Sequence, residues 1–386
     1  MGPGGQGQRG TPGKVRRGGA VGRTHRYVSL EPPDIRAAAA SDPRGFLDAH
    51  VPPVILDEVH CAPDLLPFIK ERVDARRAAT GQYLLTGSQN LLLLERVTES
   101  LAGRAAILRL LPLSQRETTG RAAGPLPWEA AAGHPRSLRP SPQNVWPTLL
   151  SGGYPEIVAH PGRDLYLWQT SYVQTYLERD VRALRQVGDL TQFQSFLRAL
   201  AVRSAQLLNM AGLARDLGLA LNTVKSWISI LETTHQIVLL RPYFANLTKR
   251  LVKTPKVYFT DTGLLGHLVG LRDPVHAAQG PMGGAILETA VFLEILKTMV
   301  HRGEEPRIYF WRTATGTEVD FLVEHEGRLV PVEVKLSATP MPGMADGIRA
   351  FQRDLGRRAG PGYVIHPGTV RGPLAPAVQS LPFAEL

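Results

Sequence analysis

The chain has 386 residues, 43% of them hydrophobic, and a net charge of +10 from 44 basic and 34 acidic side chains. This suits two or three domains with a sizeable core, whereas no run of about 18 apolar residues exists to cross a membrane and no apolar segment follows the basic amino end as a secretory signal would. A single cysteine, Cys61, excludes an internal disulfide, and together these features point to the cytoplasm and away from a membrane partner.

Residues 1–26 carry six basic side chains (Arg9, Lys14, Arg16, Arg17, Arg23, Arg26), no acid and no hydrophobic period. They read as a disordered basic arm, and the other 360 residues carry only +4. Within the arm, Gly2 and Gly7 have the glycine spacing of a phosphate-binding loop, G-x-x-x-x-G-K-[ST]. Gln8 and Arg9 stand where its Lys and Ser/Thr would be.

The next stretch, 27–117, alternates strands and helices. RYVSLE (26–31), PPVILDEVH (52–60), GQYLLTGSQ (81–89) and AAILRLLPL (105–113) predict strands; DLLPFIKERVDARRA (64–78) and LLLLERVTESLAGR (91–104) predict helices. That order implies an α/β layer with a parallel sheet. Residues 118–163, rich in Pro and Gly, read as a linker. Residues 164–256 read as helical, with LYLWQTSYVQTYLERDVRAL (165–184) and FQSFLRALAVRSAQLLN (193–209) the clearest pieces. From 257 to 386 strands return around a helix at 285–300.

Three groups of residues suggest chemistry. In VILDEVH, Asp57 and Glu58 end an aliphatic strand, as in the Walker B segment of P-loop ATPases. There the Asp orders the water shell of Mg2+ and the Glu polarises the attacking water. Thr86, Gly87, Ser88 and Gln89 end the following strand and suit contact with the γ-phosphate, and Arg104 is a charge-stabilising candidate. The plainer readings are solvated acids, a helix cap at Ser88 and a surface arginine at Arg104.

Further on, LLNMAGLARDLGLALNTVKSWISILE has the cadence of a helix-turn-helix with a turn at Gly218. Asn222, Thr223 and Lys225 would face DNA, and Lys249, Arg250, Lys253 and Lys256 would form a basic wing. The alternative is a module that packs on its own chain. Finally, TEVDFLVEHEGRLVPVEVK holds Asp320 and, thirteen residues on, Glu333-x-Lys335. A hairpin would set Asp320 beside Glu333, and period two puts Glu333 and Lys335 on one face. This resembles the PD-(D/E)xK nuclease motif, in which Asp320 and Glu333, completed by Glu288, would bind Mg2+ while Lys335 orients the water. The alternative is an inactive scaffold of the same fold. His60, Cys61, Trp168, Tyr172 and Tyr176 read as packing residues, and LERD (177–180) as a salt-bridge face.

Taken in order, RYVSLE, VILDEVHCAPDLL, GQYLLTGSQ, VTESLAGRAAILRLLPLS, GGYPE (152–156), NTVKSWISILE, KVYFTDTGLL, FWRTATGTEVDFLV and PVEVK resemble the AAA+-type P-loop ATPases of bacteria and archaea that carry a C-terminal domain of unknown function. The resemblance covers residue 26 to the end. It implies three parts: a truncated AAA+-type parallel sheet, a helical winged-helix-like middle, and a restriction-endonuclease-like α/β C-terminal domain. It also implies ATP and Mg2+ as ligands, with a nucleotide and DNA as candidate partners; it assigns no oligomeric state. In that family the phosphate-binding loop precedes the YVSLD-like strand, where Gly2–Arg9 stand. Two accounts fit this amino end: a degenerate loop, or a reading frame that is wrong near the 5′ end, which the Gly/Arg/Pro texture favours. The chain as written is expected to hydrolyse ATP weakly or not at all. Two readings compete with the impaired ATPase: a Mg2+-dependent endonuclease, and a non-catalytic DNA-binding or interaction module.

Overall fold

The computed structural model describes residues 25–87, 100–122, 124–129, 144–177, 190–243 and 253–386. The expected roles of Gly2, Gly7, Gln8, Arg9, Ser88, Gln89, Lys249 and Arg250 lie outside these, as do the side chain of Tyr176 and most of LERD. The chain divides into two compact units, Met1–Ile107 and Leu108–Leu386.

The first unit is a three-stranded parallel sheet in the order β1 (Arg26–Ser29), β2 (Val54–Asp57), β3 (Tyr83–Leu85). β2 lies between its neighbours and is buried at all four positions, which is why it reads as a continuous aliphatic run. Helices α1 (Pro33–Ser41) and α2 (Pro43–Ala49) connect β1 to β2. Each begins with a proline, whose missing N–H costs nothing there, and Asp42 caps α2 by accepting from Gly45 N at 2.9 Å. Helix α3 (Leu65–Ala75) connects β2 to β3 and buries Leu65, Leu66 and Ile69. Among the described residues β3 is an edge strand, with Leu84 38% exposed. The strand expected over 105–113 is absent: these residues form no ladder, and Leu108 and Leu110 are 67% and 64% exposed. A strand requires a ladder of backbone bonds to a neighbour as well as a hydrophobic sequence, and among the described residues this stretch has only isolated bonds, such as Leu113 N to Gly153 O at 2.6 Å.

The second unit begins with α4 (Gln115–Thr118), α5 (Trp146–Ser151) and α6 (Pro155–Ala159). The expected linker therefore contains packed structure: Trp146, Leu149, Leu150 and Ile157 are buried. Helix α7 (Leu165–Tyr172) runs into a π-helical turn, Val173–Leu177. Trp168 and Tyr172 stack at 5.3 Å beside Tyr154. Then come α8 (Leu190–Ala201), β4 (Gln206–Leu207), α9 (Met210–Asp216), α10 (Leu221–Thr233), β5 (Ile237–Leu240) and β6 (Lys256–Phe259). Trp227 of α10 packs edge-on against Phe193 and Phe196 of α8, at 5.3 and 5.2 Å. The strands form an antiparallel sheet in the order β4-β6-β5, so a boundary after residue 256 cuts through its central strand.

Helices α11 (Thr262–Leu268), α12 (Pro274–Gln279) and the nineteen-residue α13 (Gly283–His301) follow. The last sheet comprises β7 (Ile308–Arg312), β8 (Glu318–His325), β9 (Arg328–Val334), β10 (Gly362–His366), β11 (Gly372–Ala375) and β12 (Val378–Pro382), ordered β11-β12-β10-β9-β8-β7. β8 and β9 form the expected hairpin, turned by Glu326 and Gly327, both at positive φ, the geometry that suits a two-residue turn. Helix α14 (Asp346–Leu355) carries the chain from β9 to β10. α13 is buried along most of its length, so its apolar residues fall on every side.

Two buried carboxylates hold the start of this unit to its later elements. Glu294 of α13 accepts from Gln115 N at 2.6 Å and Arg116 N at 3.3 Å. Asp261 accepts from Gly153 N at 2.7 Å and, as the cap of α11, from Leu264 N at 2.8 Å. Gly152 sits at φ +75°, and a Cβ there would collide with the Asp261 carboxylate. That explains why GGYPE and FTDTGLL need their glycines and aspartate together. Asp261→Ala leaves two buried donors unsatisfied, at about 1–3 kcal/mol each. Its denaturant midpoint is expected to fall accordingly, and Asp261→Asn, which keeps an acceptor, to lose less.

Candidate functional site

At the carboxyl end of the first sheet, Asp57 ends β2 between two hydroxyls. Tyr27 OH donates to its Oδ2 at 2.6 Å, and Thr86 donates to its Oδ1. Tyr27 comes from β1 and Thr86 follows β3, so all three strands contribute. Glu58 is buried and left-handed, at φ +56°, a conformation that costs a non-glycine residue about 1–2 kcal/mol. Its Oε2 lies 3.1 Å from His60 Nδ1, although the alignment makes no hydrogen bond. Cys61 Sγ lies 3.6 Å from His60 Nε2.

The position suits a ligand, because open parallel sheets bind ligands beyond their strand carboxyl ends. A carboxylate accepts about four hydrogen bonds, so Asp57 keeps capacity for a water of a magnesium shell after bonding both hydroxyls. Thr86, expected to face a phosphate, is instead turned to Asp57. Arg104 is tied elsewhere: its Nε donates to Asp74 at 2.7 Å and its Nη1 to Ala102 O. The other expected phosphate contacts, in residues 2–9 and 88–89, lie outside the described residues.

The second acidic site lies between α13, β8 and β9. The hairpin register, with Phe321 opposite Val332, brings Asp320 beside Glu333, and Asp320 Oδ2 accepts from Val334 N at 2.8 Å. Lys335 Nζ donates to Glu333 Oε1 at 2.7 Å, while Glu333 Oε2 is buried without a hydrogen-bond partner. Burial first, and Asp320 second, raise the Glu333 carboxyl above the usual range, and the same two causes raise Glu288.

One residue corrects the sequence reading. Lys256, expected in an exposed basic wing, is 3% exposed and points into this cluster. Its Nζ lies 3.0 Å from Glu288 Oε1 and 3.6 Å from Asp320 Oδ1, and it pairs with Glu318 more closely still. Burial pulls the ammonium's pKa down, but Glu288, Asp320 and Glu318 outweigh it and the net shift is upward. Tyr258 OH also donates to Glu288 Oε1, at 2.6 Å, and Arg312 to Glu318 at 2.6 Å. The sequence reading missed Lys256, Tyr258 and Glu318 here; alternation along β6 puts Lys256 on the face of the wholly buried Tyr258, which was the available signal.

The expected metal set of Glu288, Asp320 and Glu333 does not fit a divalent cation in this arrangement. Among the described residues no three acidic, histidine or cysteine side chains converge to hold one, and an ammonium already lies among the carboxylates. Of the expected DNA contacts, Asn222 and Lys225 are exposed on α10, Thr223 is partly buried beside them, and Lys253 is exposed.

Three family models match successive stretches: an AAA domain over residues 20–119, a domain of unknown function (DUF8612) over 143–275, and a second domain of unknown function (DUF4143) over 283–386. The uncharacterized proteins Rv2008c of Mycobacterium tuberculosis and Mb2031c of Mycobacterium bovis are each 31% identical to the chain over 355 residues, spanning 91% of this chain and 73% of theirs. No solved structure matches. Among the described residues, no helix is long and apolar enough to cross a membrane.

The Tyr27–Asp57 bond has a pH signature. Burial, then the bond to Asp57, push the Tyr27 phenol up to about 12. A raised pKa favours the protonated form in the folded state, so the bond's contribution is complete below about pH 10 and is lost as pH rises toward 12. Tyr27→Phe is expected to unfold at lower denaturant than wild type at pH 7, by about 1 kcal/mol. The gap should close between pH 10 and 12.

Proposed function

We propose, for a chain that belongs to the same family as the mycobacterial proteins Rv2008c and Mb2031c and carries an AAA-like ATPase amino-terminal domain, that its first unit is a nucleotide-binding site with impaired turnover. The observation that carries this reading is the Asp57 carboxylate, fixed at the carboxyl end of a parallel sheet by hydroxyls from both neighbouring strands. In this role Asp57 faces the water shell of Mg2+ and Glu58 the attacking water, while Tyr27 and Thr86 hold Asp57 in place. Bound Mg2+–ATP would supply the phosphoryl group and its neutralising cation. Impairment follows from Gln8 and Arg9, which stand where a Lys and a Ser/Thr would meet the phosphates and the metal. Each lost charge-assisted contact is worth about 1.5–3 kcal/mol.

A second reading, DNA contact by the middle segment, draws support from α9, the Gly218 turn at φ +64° and α10, with Asn222 and Lys225 exposed. Salt-sensitive retention of duplex DNA that weakens in Lys225→Ala is its expected mark.

For the main reading, the full chain is titrated into a fluorescent ATP analogue with and without Mg2+. Binding in Mg2+ is expected, at least about tenfold weaker in Asp57→Ala (a loss of roughly 1.4 kcal/mol), with phosphate release near background. Binding indifferent to Asp57→Ala sinks the proposed site, and turnover on the order of 1 s−1 or faster sinks the impairment.

A further inference from the structure

The acid cluster of the second unit is organised around a lysine supplied by a different sheet. Lys256 begins β6, the central strand of the three-stranded sheet, whereas Glu288 lies on α13, and Glu318 and Asp320 lie on β8. We propose that Lys256 is the built-in cation of this cluster: its ammonium sits against Glu288 and Asp320, two of the three carboxylates that the nuclease-like motif would use for a divalent metal, joins the middle segment to the C-terminal sheet, and keeps the cluster metal-free.

The commitments of the individual oxygens support this. Glu288 Oε1 accepts from both Tyr258 and Lys256. Asp320 gives Oδ2 to Val334 N and turns Oδ1 toward Lys256. Glu318 is shared between Lys256 and Arg312. Magnesium demands oxygens drawn in to about 2.0–2.1 Å in near-octahedral array, and these oxygens are held by protein donors around a different cation. Lys256 also lies 5.6 Å over the face of Phe310. That face attracts an ammonium and offers a metal no lone pair. A second, divalent cation among the same carboxylates would be repelled by the first.

The test measures Mn2+ uptake by the full chain using electron paramagnetic resonance, read as the part that depends on Asp320. Wild type and Asp320→Asn are expected to take up Mn2+ alike. Lys256→Met, which keeps the apolar stem and removes the charge, is expected to gain one Mn2+ per chain, and Lys256→Met/Asp320→Asn to lose it again. Millimolar Mn2+ should correspondingly raise the melting temperature of Lys256→Met and leave that of wild type unchanged. Wild-type uptake abolished by Asp320→Asn overturns the proposal, as does a folded Lys256→Met that gains nothing. Should Lys256→Met fail to fold, the wild-type and Asp320→Asn pair still decides.

Discussion

An ammonium taken out of water must be met by carboxylates, and in the second unit that requirement falls on Lys256. Because Lys256 opens β6, the demand extends to a whole sheet. Its register, Lys256 opposite Leu207 on one side and Leu240 on the other, fixes where β4 and β5 lie. A slip of one residue would turn Lys256 to the other face and leave Glu288, Glu318 and Asp320 facing one another without their cation. Breaking such a buried pair costs more than making it gains, so the cluster acts chiefly as a specification of how two sheets meet.

The same device recurs with neutral donors. Glu294 accepts from two backbone N–H groups distant in sequence, Asp261 from one distant N–H and one in the helix it caps, and Asp57 from hydroxyls on and just beyond the adjoining strands. Position separates the structural carboxylates from the candidate functional one. Asp261 caps a buried helix and Glu294 lies within one, whereas Asp57 ends a strand where a sheet of this type receives ligands. Asp320 and Glu288 have the placement a motif predicts but face an ammonium, a reminder that a fold or a pattern does not carry an activity by itself.

What could be read from the sequence followed from local rules. The runs VILD in β2, VDFLV in β8 and LVPVE in β9 identify themselves as strands, because burial on both faces leaves a direct mark on residue order. The pairing of Asp320 with Glu333 could be read for the same reason, since a two-residue turn fixes the hairpin's register. AAILRLLPL misled, because its apolar content says nothing about whether a neighbouring strand is there to bond with it. Lys256 misled in the opposite way. In TKRLVKTPK it resembles the other cations, and only the burial of its strand shows that it turns inward. Asp261 carried a capping signal in front of TGLL, but its second bond, to Gly153, joins residues 108 apart and leaves no local trace.

Those long separations bear on how the chain comes to fold as it is made. The backbone amides of Gln115 and Arg116 wait for Glu294, 179 and 178 residues downstream. At a ribosomal pace of about 5–20 residues per second, that is an interval of roughly 10–35 s. Closing so long a loop also comes late and slowly. Leu111, Trp146 and Leu149, buried in the finished core, would emerge from the ribosome long before α13 exists to cover them. The nascent chain thus presents these apolar side chains uncovered for tens of seconds, the kind of surface that a cell's chaperones attend to.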